Sequence, residues 1–541
     1  MTKFIVVTGG VISGLGKGVL TASIGKLLSS SYKCAAMKCD GYLNVDPGTM
    51  NPIEHGEVFV LNDGTECDMD FGHYERFMNF SATKESNLTM GKIFQSILDK
   101  ERRGDFLGKT VQFIPHVTDE IKRRFYLVAK EEKADILLIE IGGTVGDLEN
   151  ALYLEAVRQL AWEQGRENVL FVHLSYVPIP VGVNEQKSKP TQLSVKSLNE
   201  IGIWPNVVVC RCSEYLSEKI KKKIALFCNV DEESVFTGKD VESVYLIPGE
   251  LEKQGFVKTL EKKLHLKIKE DHFSSWNNLS QKMIDVSHGN GNRLRIGICG
   301  KYTALGDSYA SVVEALHHSA ANLNTHVCVE FIDTEAIENG KSVEDAVKGL
   351  DGIIVPGGFG NRGWEGKIKV IQYARENKIP FLGICLGLQA AVIEYARNVC
   401  GLNDADSTEM NPSTKDKVIT LMDEQRKVVD KGGTMRLGSY EAFFEPGSII
   451  SELYKSNKVF ERHRHRYEVN PAYHKIFGEK GLMLSGLSQN KKLVEFIELP
   501  KKVHPYFVAT QAHPELKSGL EVPAPLFFGL VKSAKEKAVG K

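Results

Sequence analysis

The stretch VVTGGVISGLGKGVLTASIGKLL, residues 6–28, decides the fold of the first half of the chain. The apolar run Phe4–Val7 meets a glycine-rich turn, and a helical pattern follows it. Backbone N–H groups in such a turn, at the start of a helix, bind phosphate, and Lys17 adds a positive charge. The usual phosphate-binding loop is not fully matched, because Gly10 lies one residue too far from the Gly-Lys pair and Gly18 replaces a Ser or Thr. A tight strand–helix turn with a solvated lysine is the alternative interpretation.

Apolar runs alternate with helical patterns along both halves of the chain. The further predicted strands are Ala134–Ile139, Val169–Leu174, Val207–Cys210, Gly352–Val355 and Pro380–Ile384, and the predicted helices include Ala151–Glu163 and Leu388–Arg397. This alternation predicts parallel sheets with helices on both faces. A polar segment rich in Ser, Asn and Gly, 273–292, separates the two halves. We therefore predict an α/β protein with two doubly wound parallel-sheet domains, 1–265 and 294–541, joined by a linker at 266–293.

Length and composition exclude several classes of protein. The 541 residues are too many for one core, and 42% hydrophobic with 25% charged residues is ordinary for a soluble protein. A net charge of -1 gives no case for binding nucleic acid or an anionic membrane. No apolar segment is long enough to span a bilayer or to act as a signal peptide. The ten cysteines are scattered, and Cys210 and Cys212 have no second pair at zinc-like spacing, so we expect reduced cysteines in a cytoplasmic protein.

Acidic residues follow two other segments of the first half. In ADILLIEIGGTVGD, residues 134–147, a buried-looking strand ends in Glu140. Asp68 and Asp70 would share one face of an extended segment. Carboxylates near a phosphate loop are well placed to hold Mg²⁺, so Asp70 and Glu140 are predicted ligands. The alternatives are a loop carboxylate for Asp70 and a capping or ion-paired acid for Glu140.

A cysteine in the second half lies on a sharp turn. In FLGICLGLQAAVIEYA, residues 381–396, Cys385 ends an apolar strand between two glycines and a helix follows, which is typical of a nucleophile elbow. His513 and Glu515 are two residues apart, so Glu515 could orient the imidazole. The turn in VPGGFGNRG, with the N–H of Leu386, could form an oxyanion hole. Each piece alone is more often structural, but together they predict acyl transfer through a thioester.

The motifs PGGFG, GICLGLQ and HPE resemble those of the class I glutamine amidotransferase domain. The resemblance implies hydrolysis of glutamine by Cys385 as nucleophile, His513 as base and Glu515 as its orienting residue. It also implies that Gly358 and Leu386 form the oxyanion hole.

Further motifs along nearly the whole chain resemble the CTP synthase family: TGGVISGLGKG, NVDPGTMNPIEHGEVFV, EIGGTVGD, KSKPTQ, KIALFCNV, GGTMRLG and ERHRHRYEVN. This resemblance implies an amidoligase (synthetase) domain at 1–265 and a glutaminase at 294–541. In that family ATP phosphorylates the 4-oxygen of the UTP uracil ring. Ammonia from glutamine, passed through an internal channel that keeps it from bulk water, then displaces the phosphate and gives CTP.

The resemblance also implies the residues of each site. Those for ATP are Gly14, Leu15, Gly16, Lys17, Gly18, Val19, Lys38, Asp70, Lys239, Asp240 and Val241, with Asp70 and Glu140 on Mg²⁺. Those for UTP and the inhibitor CTP are Ser13, Asp147, Leu148, Glu149, Lys187, Ser188, Lys189, Pro190, Thr191, Gln192, Lys223 and Phe227. Those for glutamine are Gly358, Leu386, Gly387, Leu388, Gln389, Glu409 and Arg466, and His55 resembles a gate on the ammonia path. A solvated basic run is the alternative for Arg462 and Arg464.

The family implies a homotetramer, assembly into filaments, feedback inhibition by CTP and activation by GTP. Three departures bear on these expectations: Gly41 stands where proline is usual, Leu193 where histidine is common, and 422–433 differs from the lid at which GTP acts. A synthetase that amidates another acceptor, such as a cofactor, and a non-catalytic filament subunit are the alternative functions. The KSKPTQ loop argues against the first, and the full set of catalytic-type residues argues against the second.

Overall fold

The structure, a computed structural model, describes residues 2–47, 56–78, 80–269, 273–288, 293–301, 306–358, 360–421 and 435–539. The chain forms two compact units. The first contains the described residues up to Pro47 and those from Asp70 to Ser280. The second contains the described residues between Gly48 and Met69 and those from Gln281 onward. The prediction of two contiguous domains therefore differs from this division in the segment before Asp70.

The first unit is built on a seven-stranded sheet in which every pairing is parallel. Its strands are β1 (Lys3–Gly9), β2 (Cys34–Asp40), β5 (Asn87–Thr89), β6 (Ile136–Ile141), β7 (Val169–Tyr176), β8 (Val207–Cys212) and β9 (Val235–Lys239), in the order β5-β2-β6-β1-β7-β8-β9. Every residue of β6 is buried, as expected of a strand covered by helices on both faces. The carboxyl ends of the central strands therefore meet at one edge of the sheet.

Helices alternate with these strands along the chain and cover the sheet. They are α1 (Lys17–Ser29), α2 (Asp70–Met78), α3 (Met90–Arg103), α4 (Thr118–Glu131), α5 (Ala151–Gln164), α6 (Lys189–Glu200), α7 (Glu218–Cys228), α8 (Ile247–Lys253) and α9 (Phe256–Leu264). The predicted helix beginning at Ala151 is confirmed, because its apolar residues recur at helical spacing and pack on the sheet.

The second unit is built on a nine-stranded mixed sheet. Its strands are β10 (Arg293–Gly300), β11 (His326–Asp333), β12 (Gly352–Val355), β13 (Phe381–Ile384), β16 (Arg436–Phe444), β17 (Lys458–His465), β19 (Met483–Leu487), β20 (Val494–Glu498) and β21 (Phe507–Thr510). The order is β11-β10-β12-β13-β21-β20-β19-β16-β17, parallel as far as β21 and antiparallel beyond it. The predicted α/β class is confirmed, and the antiparallel extension is a feature that the prediction omitted.

Smaller elements complete the second unit. They are the hairpin β3 (Phe59–Val60) and β4 (Glu66–Cys67), the short sheet β14 (Ala405–Ser407), β15 (Asp416–Leu421) and β18 (Tyr467–Val469), and the helices α11 (Ala310–Leu323), α12 (Thr334–Glu338), α13 (Val343–Val347), α14 (Trp364–Glu376), α15 (Leu386–Asn398), α16 (Ile449–Tyr454), α17 (His474–Glu479) and α18 (Pro525–Val539). Among the described residues, no helix combines the length and the apolar character needed to cross a bilayer.

The segment expected to be a polar linker contains a helix, α10 (Ser274–His288). Trp276 is buried, packs with its ring tilted against those of Phe77 and Tyr245, and donates a 2.9 Å hydrogen bond from Nε1 to the Tyr245 carbonyl. Burial of this one large side chain fixes the start of the helix, although the Ser- and Asn-rich composition favoured an irregular segment.

Candidate active sites

The glycine-rich turn after β1 leads directly into α1, as the sequence predicts. Gly16 precedes the helix with φ of 95°, a left-handed conformation that favours glycine. Lys17 folds back so that its Nζ donates a 2.7 Å hydrogen bond to the Gly143 carbonyl. Burial lowers the pKa of Lys17. The turn therefore presents helix N-terminal N–H groups and one partly desolvated ammonium group to the same place.

The missing hydroxyl at residue 18 has a steric explanation. A Cβ atom built on Gly18 would lie 2.2 Å from Oδ1 and 2.6 Å from Cγ of Asp70. The Asp70 carboxylate thus occupies the place in which a Ser or Thr side chain would stand. Asp70 begins α2 and does not continue an extended segment, so the expectation that it shares one strand face with Asp68 is wrong.

Asp70, which is half-buried, faces a fully buried carboxylate, Glu140 at the end of β6. Lys38 pairs with Glu140 in the sheet register and makes a 2.5 Å ion pair with Asp70 Oδ2. Tyr74, one helical turn after Asp70, donates a hydrogen bond to Glu140. Burial, and then the charge of Asp70, raise the pKa of Glu140 to about 8. Burial would raise the pKa of Asp70 as well, but Lys38 outweighs it and the pKa falls below its usual value.

This carboxylate pair fits Mg²⁺. Two carboxylates close enough that the charge of Asp70 raises the pKa of Glu140 are stabilised by a cation between them. Mg²⁺ is commonly held by one or two carboxylates, with phosphate and water oxygens completing its shell. Within the part of the chain that the structure describes, no group of three or more His, Cys, Asp or Glu side chains is suited to a metal. The remaining ligands would therefore come from a bound nucleotide and water.

A cavity of about 180 Å³ lies beside the phosphate loop. Its lining includes Gly16 and Val19 from the loop side and Lys239–Val241 from the end of β9. The structure therefore brings together two predicted ATP-binding segments that are remote in sequence. Arg211, which sequence analysis did not single out, bridges them by donating to the Gly14 carbonyl at 3.1 Å and to Asp240 Oδ1 at 2.9 Å.

The residues predicted for UTP and CTP lie on four separate segments of the first unit, the first of which is the phosphate turn with Ser13. The KSKPTQ segment, Lys187–Gln192, enters α6, and Thr191 donates a 3.0 Å hydrogen bond to the Tyr176 carbonyl at the end of β7. Asp147–Glu149 follow β6 and are exposed. Lys223 and Phe227 lie one turn apart on the exposed side of α7. Lys189 is exposed as well, whereas Ser188, Thr191 and Gln192 are buried.

Cys385 occupies the predicted elbow between β13 and α15. Its φ of 53° and ψ of -102° are strained for a residue with a side chain. The turn is tight enough that a Cβ on Gly387 would lie 2.0 Å from the Val355 carbonyl oxygen, which explains the glycine after the cysteine. The Cys385 N–H donates a 2.7 Å hydrogen bond to the Thr510 carbonyl on β21. Leu386 is the first residue of α15, so the helix itself gives its N–H no partner.

His513 and Glu515 complete the constellation. His513 Nδ1 lies 2.6 Å from Glu515 Oε1. A Cβ atom built on Gly357 would lie 3.0 Å from Cε1 of the His513 imidazole and 3.5 Å from Cys385 Cβ. The imidazole and the cysteine side chain therefore border the same space. Burial alone would lower the pKa of His513, but Glu515 and Cys385 outweigh it and raise the pKa well above its usual value. The site therefore favours an imidazolium beside the cysteine.

Two of the residues predicted to hold glutamine, Gln389 and Glu409, have defined hydrogen-bond partners. Gln389 Nε2 donates to the Tyr467 carbonyl at 3.0 Å and to Gln511 Oε1 at 3.2 Å, while its buried Oε1 has no partner among the described residues. Glu409 Oε1 accepts a 3.2 Å hydrogen bond from the Gly360 N–H. Gln511, which sequence analysis did not identify, also reaches the Cys385 sulfur at 3.6 Å from its Nε2.

A buried ionic cluster lies behind the triad on β16, β17, β18 and β20. Arg436 donates to Glu468 at 2.9 Å and to Glu495 at 2.6 Å, and His465 Nε2 lies 2.6 Å from Glu468. His463 Nε2 is 3.5 Å from Glu495. Burial lowers the pKa of both histidines and raises that of Glu495 to about 7. The alternation of Arg and His in ERHRHRY could have indicated this cluster from the sequence, because alternate side chains of a strand point to opposite faces of the sheet.

Two predicted functional features lie outside the described residues. These are His55, expected to gate an ammonia path, and the segment 422–433, expected to form the lid at which GTP acts.

Comparison with known proteins matches both units. Residues 3–266 match the family described as the CTP synthase N-terminus, and residues 304–533 match class-I glutamine amidotransferase. A CTP synthase of Caldanaerobacter subterraneus is 53% identical over 534 residues, covering 98% of either chain. One of Methanopyrus kandleri is 52% identical over 535 residues, covering 98% of this chain and 99% of its own.

A solved structure titled as the Trypanosoma brucei CTPS glutaminase domain with bound acivicin is 40% identical, with a TM-score of 0.42, and covers 45% of this chain and 94% of that one. Relatives that share half of their residues with this sequence span nearly its whole length. The chain belongs to the CTP synthase family.

Proposed function

We propose that this chain converts UTP to CTP, with ATP as the phosphate donor and L-glutamine as the nitrogen source. The observation that carries the proposal is the pairing, in one chain, of an elbow cysteine beside a His–Glu dyad with a phosphate loop packed on a carboxylate pair. Neither feature alone explains the other. A glutaminase coupled to phosphoryl transfer requires both, and the relatives reported above are named CTP synthase.

In the first unit, ATP lies with its phosphates on the N–H groups of residues 14–19 and its base in the cavity lined by Lys239–Val241. Mg²⁺ held by Asp70 and Glu140 would neutralise phosphate charge during transfer. The uracil 4-oxygen attacks the γ-phosphorus, and ADP leaves. Ammonia then adds at carbon 4 and inorganic phosphate departs, which gives CTP. Lys17, partly desolvated, stabilises the charge on the transferring group.

In the second unit, the Cys385 thiolate attacks the side-chain carbonyl carbon of glutamine. N–H groups of Leu386 and Gly358 stabilise the resulting oxyanion. His513, charged and oriented by Glu515, donates a proton to the nitrogen as the carbon–nitrogen bond breaks and ammonia leaves. His513 then accepts a proton from the water that hydrolyses the thioester, which releases glutamate and restores the thiolate beside the charged imidazole.

UTP binding, feedback by CTP and assembly are proposed together. Two residues of the predicted UTP and CTP set, Leu148 and Phe227, are apolar and are 86% and 58% exposed. Leu193, which follows the set at Gln192, is 52% exposed. Large apolar side chains beside polar nucleotide ligands support sites that are completed by another copy of the chain, as in a homotetramer. CTP would share the UTP triphosphate residues and inhibit there. Filament formation and activation by GTP are part of the same proposal and rest on the family alone.

A cytoplasmic location is proposed from the cysteines. All ten lie in described parts of the chain, and none forms a disulfide. Free cysteines in this number suit a reducing compartment.

The test is CTP formation followed by absorbance, with UTP, ATP, Mg²⁺ and either glutamine or ammonium chloride. Cys385→Ala should reduce the glutamine-dependent rate by at least roughly 10⁴-fold and leave the ammonia-dependent rate unchanged. Lys17→Ala should reduce both rates. Cys400→Ala, which removes a half-buried thiol elsewhere in the second unit, should change neither. Loss of both rates in folded Cys385→Ala would contradict separate half-reactions, and no CTP from the wild type with either nitrogen source would refute the proposal.

A further inference from the structure

The hairpin β3–β4 comes from the first half of the sequence but packs within the second unit. Phe59 pairs with Cys67 and Val60 with Glu66, and the turn closes with a 2.9 Å hydrogen bond from the Leu61 N–H to the Thr65 carbonyl. Phe59, Val60 and Cys67 are buried. Two-residue strands have little stability of their own, so this hairpin depends on the surface against which it packs.

That surface is the ribbon formed by β16 and β17. The Ser439 N–H donates a 2.9 Å hydrogen bond to the Asn62 carbonyl, and Arg462 Nε donates a 2.8 Å bond to Asn62 Oδ1. Arg464 Nε donates a 2.8 Å hydrogen bond to Glu66 Oε1, and Arg464 Nη2 lies 2.8 Å from the same oxygen in an ion pair. Glu66 is only 3% exposed, so the ion pair is largely shielded from water.

The same two arginines touch the triad through their backbone. The His513 N–H donates a 2.7 Å hydrogen bond to the Arg462 carbonyl. The Cys385 sulfur lies 3.8 Å from the Arg464 carbonyl oxygen. Because side chains alternate along a strand, the arginines face the hairpin while His463 between them faces the buried ionic cluster. Strand β17 thus contacts the hairpin on one face and the buried ionic cluster on the other. Its backbone carbonyls contact His513 and Cys385.

We propose that the hairpin positions the glutaminase triad, with Asn62 and Glu66 as positioning residues, and that it reports the state of the nucleotide site to that triad. The second part rests on the proposed function. It follows from chain connectivity, because Asp70, an expected Mg²⁺ ligand, follows Cys67 by three residues. A shift of Asp70 on nucleotide binding would reach the hairpin through the two intervening residues, and the hairpin side chains would pass it to the β17 carbonyls that His513 and Cys385 contact.

Single substitutions test the first part on the full-length protein with glutamine alone. Glu66→Gln, which keeps the shape but removes the charge, and Asn62→Ala should lower kcat for glutamine hydrolysis roughly tenfold and change KM by less than about twofold. Asn62→Asp should restore activity, since its carboxylate still accepts from Arg462. The control is Glu441→Gln, which removes an equivalent charge from the same ribbon, where Glu441 pairs with Lys458 at 2.7 Å.

The second part is tested by the rate of glutamine hydrolysis with ATP, UTP and Mg²⁺ divided by the rate without them. Glu66→Gln should lose most of the wild-type change in that ratio, while its ammonia-dependent CTP formation stays within about twofold of wild type. Wild-type kcat and ratio in both Glu66→Gln and Asn62→Ala would overturn the proposal. A lowered kcat with an unchanged ratio would overturn the reporting role alone. Absence of CTP formation by the wild type would refute the proposed function, and the nucleotide-free measurements would still decide the positioning role.

Discussion

Restoring the usual phosphate-loop signature should inactivate the synthetase reaction. Gly18→Ser supplies the hydroxyl that most such loops carry, yet a Cβ at this position would lie 2.2 Å from Asp70 Oδ1. Non-bonded heavy atoms settle at roughly 3.5 Å, so the carboxylate must move by about 1 Å. Asp70 cannot move freely, because Lys38 holds it in a 2.5 Å ion pair. A displacement of about 1 Å in a reacting site costs roughly 10²-fold in rate.

The assay is CTP formation from ammonium chloride at saturating ATP and UTP, across a Mg²⁺ titration. Gly18→Ala and Gly18→Ser should both lose about 100-fold in kcat and require more Mg²⁺ for half-maximal rate. Nucleotide-free glutamine hydrolysis should be unchanged, which would show that the second unit is intact. Gly478→Ala is the control, since a Cβ there meets nothing within 4 Å and Gly478 has no left-handed φ. Either Gly18 variant with kcat within twofold of wild type would refute the steric explanation.

Three further outcomes are expected. Gly387→Ala should abolish glutamine hydrolysis, because its Cβ would lie 2.0 Å from the Val355 carbonyl oxygen, and wild-type kcat for that variant would contradict the elbow geometry. Burial lowers the pKa of His513 and Glu515 is the strongest effect that raises it, so Glu515→Gln should lose the imidazolium at lower pH. The alkaline limb of kcat/KM for glutamine hydrolysis should then move down by about one pH unit or more, and an unmoved limb would contradict the assigned pair. Trp276→Ala should lower the free energy of unfolding by about 3–5 kcal/mol in urea titrations, and a loss under about 1 kcal/mol would show that α10 is not fixed by this side chain.

Local patterns carried most of the fold prediction. Strand β12 lies at Gly352–Val355 as predicted, and α5 extends the predicted helix by one residue to Gln164. The pattern of apolar residues predicts both elements, because the helix is long and the strand is uniformly apolar. The cysteine elbow was equally readable, because Cys385 and its flanking glycines are consecutive in sequence. Short elements such as the hairpin β3–β4 escaped notice because two residues carry no measurable period.

By itself, the sequence determined the α/β class, the phosphate turn and the elbow, since each depends on the backbone preferences of neighbouring residues. Only the tertiary structure decided why residue 18 is glycine, because Asp70 approaches it from far along the chain. It also decided that Glu66 belongs with Arg464 and that a buried cluster of Arg436 and two glutamates stands behind the triad. Such contacts join residues remote in sequence, and only the packing of strands and helices specifies which of many possible partners is met.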